Sequence, residues 1–553
     1  MKYLLILLLS ITTAYCYGQL VNDGAIIKIQ PGAYIFCGGN VENKNAGSIS
    51  NDGKMEVQGN FLNTATYNSA TADDSLILSG GGNVTLNAGA SALNYLYINK
   101  TANSNYVTLT NNVTVTSKLI YNSGTLSTDP IANNYTLNAA ITVPFQFTAG
   151  REIIGRVMRT GWANNQNIVF NQPYMIITTT GGTNPGTFTV NMVPQANGGD
   201  PSQNEREVKR KFEFTQTGGT GFTADISYPY LDAELNTNTE PGLVPWSLVT
   251  GEWNGKLSPV TRDGAINYIT VTGITDTELP NEWKLADSKY TFNMTSYLKG
   301  AWNNPVGLMR TLLNSSNLLP LAQPFNTAPF NYAGTESVVA IPNANVVDWV
   351  LLDFRKPASG LPADATPATS IGKKAAFILN DGSITDLDGV TPLTFDINKQ
   401  GNGFFVIKTR NHLAIMSNSL PSNVTGSYTN NFSVLANNYK NPSATSDPVT
   451  LLAATGIGST LYGMWPGDVN RNGSVTTSDV TPINIAISGP VAGNTNVYNV
   501  RDVNYDRNVT TADVSVTNTS IAAFAQASAL KPPPSTGIVI EKDLKSHVPG
   551  EGR

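Results

Sequence analysis

The chain has 553 residues, 34 basic and 39 acidic side chains, 49 glycines, two cysteines and two histidines. A net charge of only −5 argues against nucleic acid or an anionic lipid surface as the main partner. Two histidines, His412 and His547, poorly supply histidine-based metal catalysis or a Ser-His-Asp triad, and a chain this long divides into several domains.

Residues 1–18 read as a secretory signal: Lys2 gives the positive start, 4–9 the apolar core, and small or polar residues follow. The mature start is expected near Gln19; the competing reading is a lipoprotein acylated on Cys16. Cleavage leaves Cys37 as the only cysteine, expected as a buried thiol, so no intrachain disulfide forms. No later apolar run reaches membrane-spanning length, so no transmembrane segment is expected.

Residues 19–150 carry short alternating runs at 27–29, 75–78, 84–86, 96–98, 106–109 and 113–115, separated by Asn- and Gly-rich turns. Their quasi-regular spacing predicts a parallel β-helix or related solenoid, with a meander sandwich as the competitor. Residues 151–295 have longer, more aromatic runs (168–170, 174–177, 188–192, 209–214, 222–226) and Trp246, Trp253 and Trp283, which predicts an antiparallel sandwich. Residues 194–201 read as a polar insertion, and Asp232, Glu234 and Glu240 as a solvated acidic loop rather than an ion site.

Residues 296–460 predict a second sandwich, opening with a short helix at 306–313 and a Pro-rich stretch at 320–329. Strands follow at 346–354, 375–379, 395–397, 403–409, 412–416 and 432–434, with Asn380-Asp381-Gly382 turning between two of them. Trp349 is expected in the core. Asp348 and Asp353 fall on opposite faces, which disfavours a paired acid/base site. Asp386 and Asp388 beside Gly389 read as local turn bonding, and His412 as a structural histidine bonding to a carbonyl.

Residues 461–530 carry the chemistry. Asp468, Asn470, Asn472, Ser474, Thr476 and Asp479 occupy positions 1, 3, 5, 7, 9 and 12 of a loop. Asp502, Asn504, Asp506, Asn508, Thr510 and Asp513 repeat that register 34 residues later. This is the spacing of a hard, oxygen-lined Ca2+ cage, so two calcium sites are expected. Positions 1, 3 and 5 would give side-chain oxygens, position 7 a main-chain carbonyl, position 9 a water-mediated contact, and position 12 a bidentate carboxylate. Gly473 suits the bend at position 6, where the second loop has Arg507. A helical stride follows each loop: Val480, Ile483 and Ile487, then Val514, Thr517 and Ile521, with Pro482 expected early in its helix. Two half-motifs this small must pack together, coupling calcium binding to folding. Residues 531–553 read as a Pro-rich linker and flexible tail, in which 538–540 would add a strand to a sheet.

The loop pair resembles the type I dockerin module, two loop–helix calcium repeats without an entering helix. That resemblance implies that loop positions 10 and 11, here Thr477-Ser478 and Thr511-Ala512, face a cohesin partner; Arg507 and the lack of a catalytic module depart from the cellulosomal pattern. In many bacteria similar modules pack against a neighbouring domain of their own chain. Residues 300–525, through 347–355, 384–389, 410–414 and 464–468, resemble large secreted Bacteroidetes surface or adhesin-like proteins. Many such proteins leave by type IX secretion with an Ig-like C-terminal sorting domain, which is not seen here.

The expectation is a mainly β chain: an N-terminal solenoid, two sandwiches and a small helical dockerin-like calcium module. It is expected to be non-enzymatic and secreted or at the cell surface, in association with the outer membrane or an envelope protein, with a glycan as the other partner class. One alternative is an accessory or carrier for type IX secretion or for gliding and adhesion machinery. The other is a polysaccharide-active enzyme on the solenoid, for which the scattered Glu56, Asp73, Asp74 and Lys100 are the available charges.

Overall fold

A computed structural model describes residues 13–16, 18–69, 74–194, 207–399, 401–420, 426–452, 460–490 and 493–526. Most of the expected leader, Asp73, most of the 194–201 insertion, and the linker and tail at 531–553 lie outside the described residues. The protein is mainly β, with 45 % strand against 10 % helix, and begins with a parallel solenoid of about seven turns. It divides into two compact units, Met1–Asp287 and Ser288–Arg553. The split between the two units falls at 287/288. The solenoid shares a unit with the first sandwich, and the loop–helix pair shares one with the second.

In the first unit successive solenoid turns stack by parallel pairing, in unbroken register over the first turns and with register shifts between Ala92–Lys100 and Val113–Ser123. Tyr34–Cys37 pairs in parallel with Lys54–Val57, which pairs with Ser75–Gly80; Leu20–Asp23 pairs with Val41–Lys44, and that with Phe61–Asn63. A third, short face joins Ile26–Ile29, Ser48–Asn51 and Thr66–Asn68. Inward residues alternate with outward ones, filling a core that includes Ile49, Met55, Phe61, Leu78 and Leu96; Cys37 is buried there as expected. Strands lengthen along the stack to the 11 residues of Val113–Ser123, beyond the short runs read from the sequence. Thr13–Cys16, inside the stretch expected to be cleaved, pairs in parallel with Tyr34–Cys37.

Polar asparagines run through the solenoid interior. Asn22 Nδ2 donates to Asn43 Oδ1 at 2.8 Å, and Asn43 Nδ2 to Asn63 Oδ1 at 2.7 Å, the partners being 21 and 20 residues apart. Each amide is buried and gives its other hydrogen to main-chain carbonyls, Asn43 to Thr66 and Asn63 to Ala88. Burial without those partners would be costly, so the ladder fixes the vertical register of the turns.

Ile153–Thr160 ends the stack. One edge pairs in parallel with Thr136–Ala140 and the other antiparallel with Thr187–Pro194, which continues through Glu207–Thr217 into the sandwich. A five-stranded antiparallel sheet (Ile168–Val169, Ile176–Thr180, Thr223–Pro229, Tyr268–Thr275, Val260–Asp263) forms the other layer. Phe188, Phe214, Tyr228 and Trp283 pack among themselves in the core at ring separations of 5.8–6.5 Å. The acidic loop departs from expectation. Glu234 is buried and, with Glu152, holds the buried Arg210 at 2.8 and 2.7 Å, because a guanidinium in the core needs paired carboxylates. Asp232 accepts from Asn267, and Glu240 from the Tyr230 hydroxyl.

In the second unit the predicted helix at 306–313 is instead a short strand, Leu308–Met309, followed by a single turn, α1 (Leu312–Ser315). Val346–Arg355 is the central strand of a five-stranded antiparallel sheet, between Ser370–Leu379 and Phe404–Lys408, and is buried along its whole length. Such a strand cannot alternate apolar and polar, so its charges are neutralised internally. Asp353 pairs with Arg355 and Lys408, and Asp348 with Arg410. A three-stranded sheet (Leu393–Asp396, Lys289–Thr295, Ser427–Asn431) supplies further core rings, with Phe292 stacked on Phe395 at 4.3 Å. Pairing thus stops at Asn431, before the strand expected at 432–434. Gly382 adopts φ +87° in the expected hairpin, and Asp388 accepts from the Val390 and Thr391 amides as expected for a turn, its carboxyl held below the usual range by those bonds.

Candidate metal centre

The two loops fold as copies. Asp468 accepts from the amides of Asn472 and Gly473 at 3.0 and 3.1 Å, and Asp502 from those of Asp506 and Arg507, both at 3.1 Å. Asn470 Oδ1 takes the Asn472 amide and Asn504 Oδ1 the Asp506 amide, each at 3.0 Å. Position 5 repeats the pattern, with Asn472 accepting from Ser474 and Asp506 from Asn508. Successive Asx turns of this kind curl a chain until its side-chain oxygens share one concavity. Positions 4 and 6 are left-handed in both loops: Arg471 +61° and Gly473 +81°, Tyr505 +59° and Arg507 +76°. Arg507 thus takes the glycine conformation, and its Nη1 is tied to Ser316 Oγ at 2.8 Å, a contact that helps hold the strained residue.

Each loop leads directly into a helix, α2 (Thr477–Ser488) and α3 (Thr511–Ala522). Thr476 and Thr510 are the N-caps, with φ of −138° and −137°. Asp479 and Asp513 close a capping box, accepting from the capping threonine's amide at 2.9 and 2.8 Å, and reach back to the Asn470 and Asn504 amides. The position-12 carboxylate therefore starts the helix and closes the loop together. Ile483 and Thr517 are buried, as their stride predicted. Pro482 lies further in than expected, at the sixth residue of α2, where it cannot offer an N–H to the Ser478 carbonyl.

The side chains at positions 1, 3, 5 and 12 are hard donors by type: two carboxylates and two amides in the first loop, three carboxylates and one amide in the second. Among the described residues no three His, Cys, Asp or Glu side chains group as a metal set by themselves, so each cage would depend on amide and main-chain oxygens too. The electrostatics of the loops would suit a cation. Burial, reinforced by Asp479, pushes the Asp468 carboxyl up to about 7. Burial does the same for Asp502, to about 7, with Arg410 pulling down and Asp513 and Asp506 pushing up; burial also raises Asp513. Like-charged carboxylates held out of water are what a dication would neutralise.

The segment 410–412, which the sequence suggested only as a structural histidine, fastens both loops to the sandwich. The Asn411 carbonyl accepts from the Gly467 and Asp468 amides at 3.0 and 3.1 Å, and its Nδ2 donates to the Val500 and Asp502 carbonyls at 3.0 and 2.8 Å. One residue therefore grips the first position of each loop. Arg410 Nε bonds Asp348 at 2.7 Å, its Nη1 bonds the Asn499 carbonyl, and its Nη2 lies 3.8 Å from Asp502, an ion-pair distance too long for a hydrogen bond. Its guanidinium lies over the Tyr505 and Tyr498 rings, 4.2 and 4.8 Å from their centroids. His412 is a buried structural histidine. Its Nε2 accepts from the Gly300 amide at 3.0 Å, so Nδ1 carries the proton and donates to the side-chain carbonyl oxygen of Asn411, Oδ1, at 2.9 Å. Burial and then Arg410 push its pKa down to about 3, keeping it neutral. The legible signal was a polar tripeptide between two apolar runs, 403–409 and 413–416.

Leu413, Trp465, Val475 and Ala525 form one small core between the module and the sandwich, and Val469, Ile483, Val503 and Val509 another inside the module. No helix among the described residues is long and apolar enough to cross a membrane. No protein-family model, curated protein or solved structure matches this chain.

Proposed function

We propose that the chain is a non-enzymatic, secreted or cell-surface structural and binding protein. Loops 468–479 and 502–513 would each hold a calcium ion and brace the sandwich of residues 288–460. The observation that carries this reading is the Asn411 clamp: one residue of the sandwich anchors the opening of both loops, the first through its main-chain carbonyl and the second through its side-chain amide, which couples ordering of the loops to ordering of the sandwich. Embedding of this kind favours bracing over recruitment of a cohesin. A protein partner at the envelope remains part of the proposal, as does an accessory role beside secreted surface proteins, for which pull-down from envelope fractions is the test.

Calcium at 100 times its dissociation constant adds about 2.7 kcal/mol per site. Calorimetry of the full chain should therefore show one transition, that of residues 288–526, falling by several degrees in excess chelator and recovering with calcium. An unchanged melting curve removes the calcium reading. A polysaccharide-active site on the solenoid draws little support. Glu56 is occupied by Tyr34 and Ser79, Asp74 accepts from Asn94 at 2.6 Å, and Lys100 is 2 % exposed with its amine on the Ser79 carbonyl.

A further inference from the structure

Among the described residues three asparagines stand directly before a glycine: Asn254, Asn402 and Asn472. A glycine leaves its amide nitrogen open to attack the preceding side-chain amide, because no Cβ screens it. Two of the three are held in sheet pairings. Gly255 lies opposite Trp246 in an antiparallel ladder, and Gly403 is buried and gives its amide to the Leu420 carbonyl at 2.9 Å. Asn472 is exposed, at position 5 of the first loop. Its Oδ1 accepts from the Ser474 amide at 3.0 Å, and the Gly473 amide is engaged by Asp468 Oδ2 at 3.1 Å. The attacking nitrogen is therefore restrained from within the loop, by the carboxylate at position 1.

Asp468 and Asp479 are both buried, and once ionised they repel each other, which favours opening of the loop. A dication would close the loop on the same carboxylate that holds the Gly473 amide. We infer, resting on calcium occupancy of the first loop, that Asn472 is a site of spontaneous deamidation which bound calcium suppresses. In the opened loop the Gly473 nitrogen attacks Asn472 Cγ. The Cγ–Nδ2 bond breaks, and ammonia leaves with the proton given up by the attacking nitrogen. Water then opens the succinimide at either carbonyl, leaving aspartate or isoaspartate. Aspartate gives the first loop three carboxylates, the set the second loop already has through Asp506. Isoaspartate puts an extra methylene into the main chain and breaks the run of Asx turns. The second loop has no amide to lose at this position, where Asp506 is followed by Arg507.

The test incubates the full chain at mildly basic pH, where these carboxylates are ionised, in excess calcium or in excess chelator. Peptide mass spectrometry follows the exchange of NH2 for OH at each of the three asparagines, methyltransferase labelling resolves isoaspartate, and titration calorimetry reports calcium uptake by the same preparation. In chelator Asn472 should convert faster than Asn254 and Asn402. Calcium should slow Asn472 by roughly tenfold or more and leave Asn254, in the first unit, unchanged within about twofold. Gly473→Arg copies position 6 of the second loop, where Arg507 takes φ +76° against +81° for Gly473. Its side chain screens the attacking nitrogen, so Asn472 in this variant should convert roughly tenfold more slowly in chelator. A chain that takes up no calcium overturns this inference together with the calcium reading. A chain that takes up calcium overturns this inference alone if Asn472 converts equally fast with and without it, no faster in chelator than Asn254 and Asn402, or as fast in Gly473→Arg.

Discussion

Replacing Arg410 by methionine tests whether the loop pair and the sandwich are one cooperative body. The guanidinium is 2 % exposed, bonds Asp348 at 2.7 Å and lies 3.8 Å from Asp502, and both carboxylates are completely buried. Methionine fills much of the volume and removes the charge. Tyr498 still donates to Asp348 Oδ1 at 2.9 Å, which leaves the carboxylate bonded but uncompensated. Breaking one side of a buried pair costs about 3–5 kcal/mol, whereas replacing both sides by apolar groups is often close to neutral. At 1.4 kcal/mol per tenfold, hydrogen-exchange protection across α2 and α3 should fall by roughly two to three and a half orders of magnitude. The pair Arg410→Met with Asp348→Leu should recover at least about half of that loss. Exchange should be followed by mass spectrometry on the calcium-saturated chain, with the solenoid peptides as internal reference. A loss under about 1 kcal/mol, or one with no effect on α2 and α3, refutes the coupling.

The pH response of the loops has a definite sign. Asp468 and Asp502 have folded pKa values near 7 without metal, well above their unfolded values, so the folded chain binds more protons between about pH 4 and 7. That contribution is full below the unfolded pKa and is lost as pH rises through 7. The chelated second unit should therefore melt higher at pH 5 than at pH 7.5, while the increment from added calcium should be larger at pH 7.5, where its ligands are already ionised. The opposite order in calorimetry at the two pH values removes the like-charge account. Gly300→Ala would place a Cβ 1.9 Å from the Val503 carbonyl oxygen and 3.1 Å from the His412 ring. Equilibrium unfolding of the second unit should show a loss of about 1–3 kcal/mol or more, and a neutral result would mean that loop two is not seated on this face. Asn43→Ala removes the middle rung of the amide ladder and strands groups on both neighbouring turns, so a loss of about 2–3 kcal/mol is expected in denaturant unfolding of the first unit. Asn22→Ala, at the end of the ladder, should cost less; equal losses would show that the rungs act independently.

What the sequence disclosed followed from local chemistry. The Asx residues at positions 1, 3 and 5 bond to amides two to five residues away, so both loops and their helices were legible from spacing alone. The solenoid was visible because each turn is short and its inward residues alternate. The deepest polar contacts were hidden for the opposite reason. Glu234 looked like part of a solvated loop because Arg210 is 24 residues away, and Asn411 meets Asp502 across 91. No window of sequence contains both partners. The helix expected at 306–313 failed because Met309 gives its amide to Asn380 in a distant turn, a tertiary bond that competes with helical pairing.

The strand Ile153–Thr160, parallel on one edge and antiparallel on the other, has a consequence for self-association. A parallel stack is open-ended: its last turn offers the same unpaired amides and carbonyls to any further turn, including one from another molecule. Reversing the polarity at this strand converts that template into a finished surface. The adjoining sandwich thereby acts as a terminator for the solenoid, and fibre-like growth from this end is blocked by the chain's own next strand rather than by charge or proline.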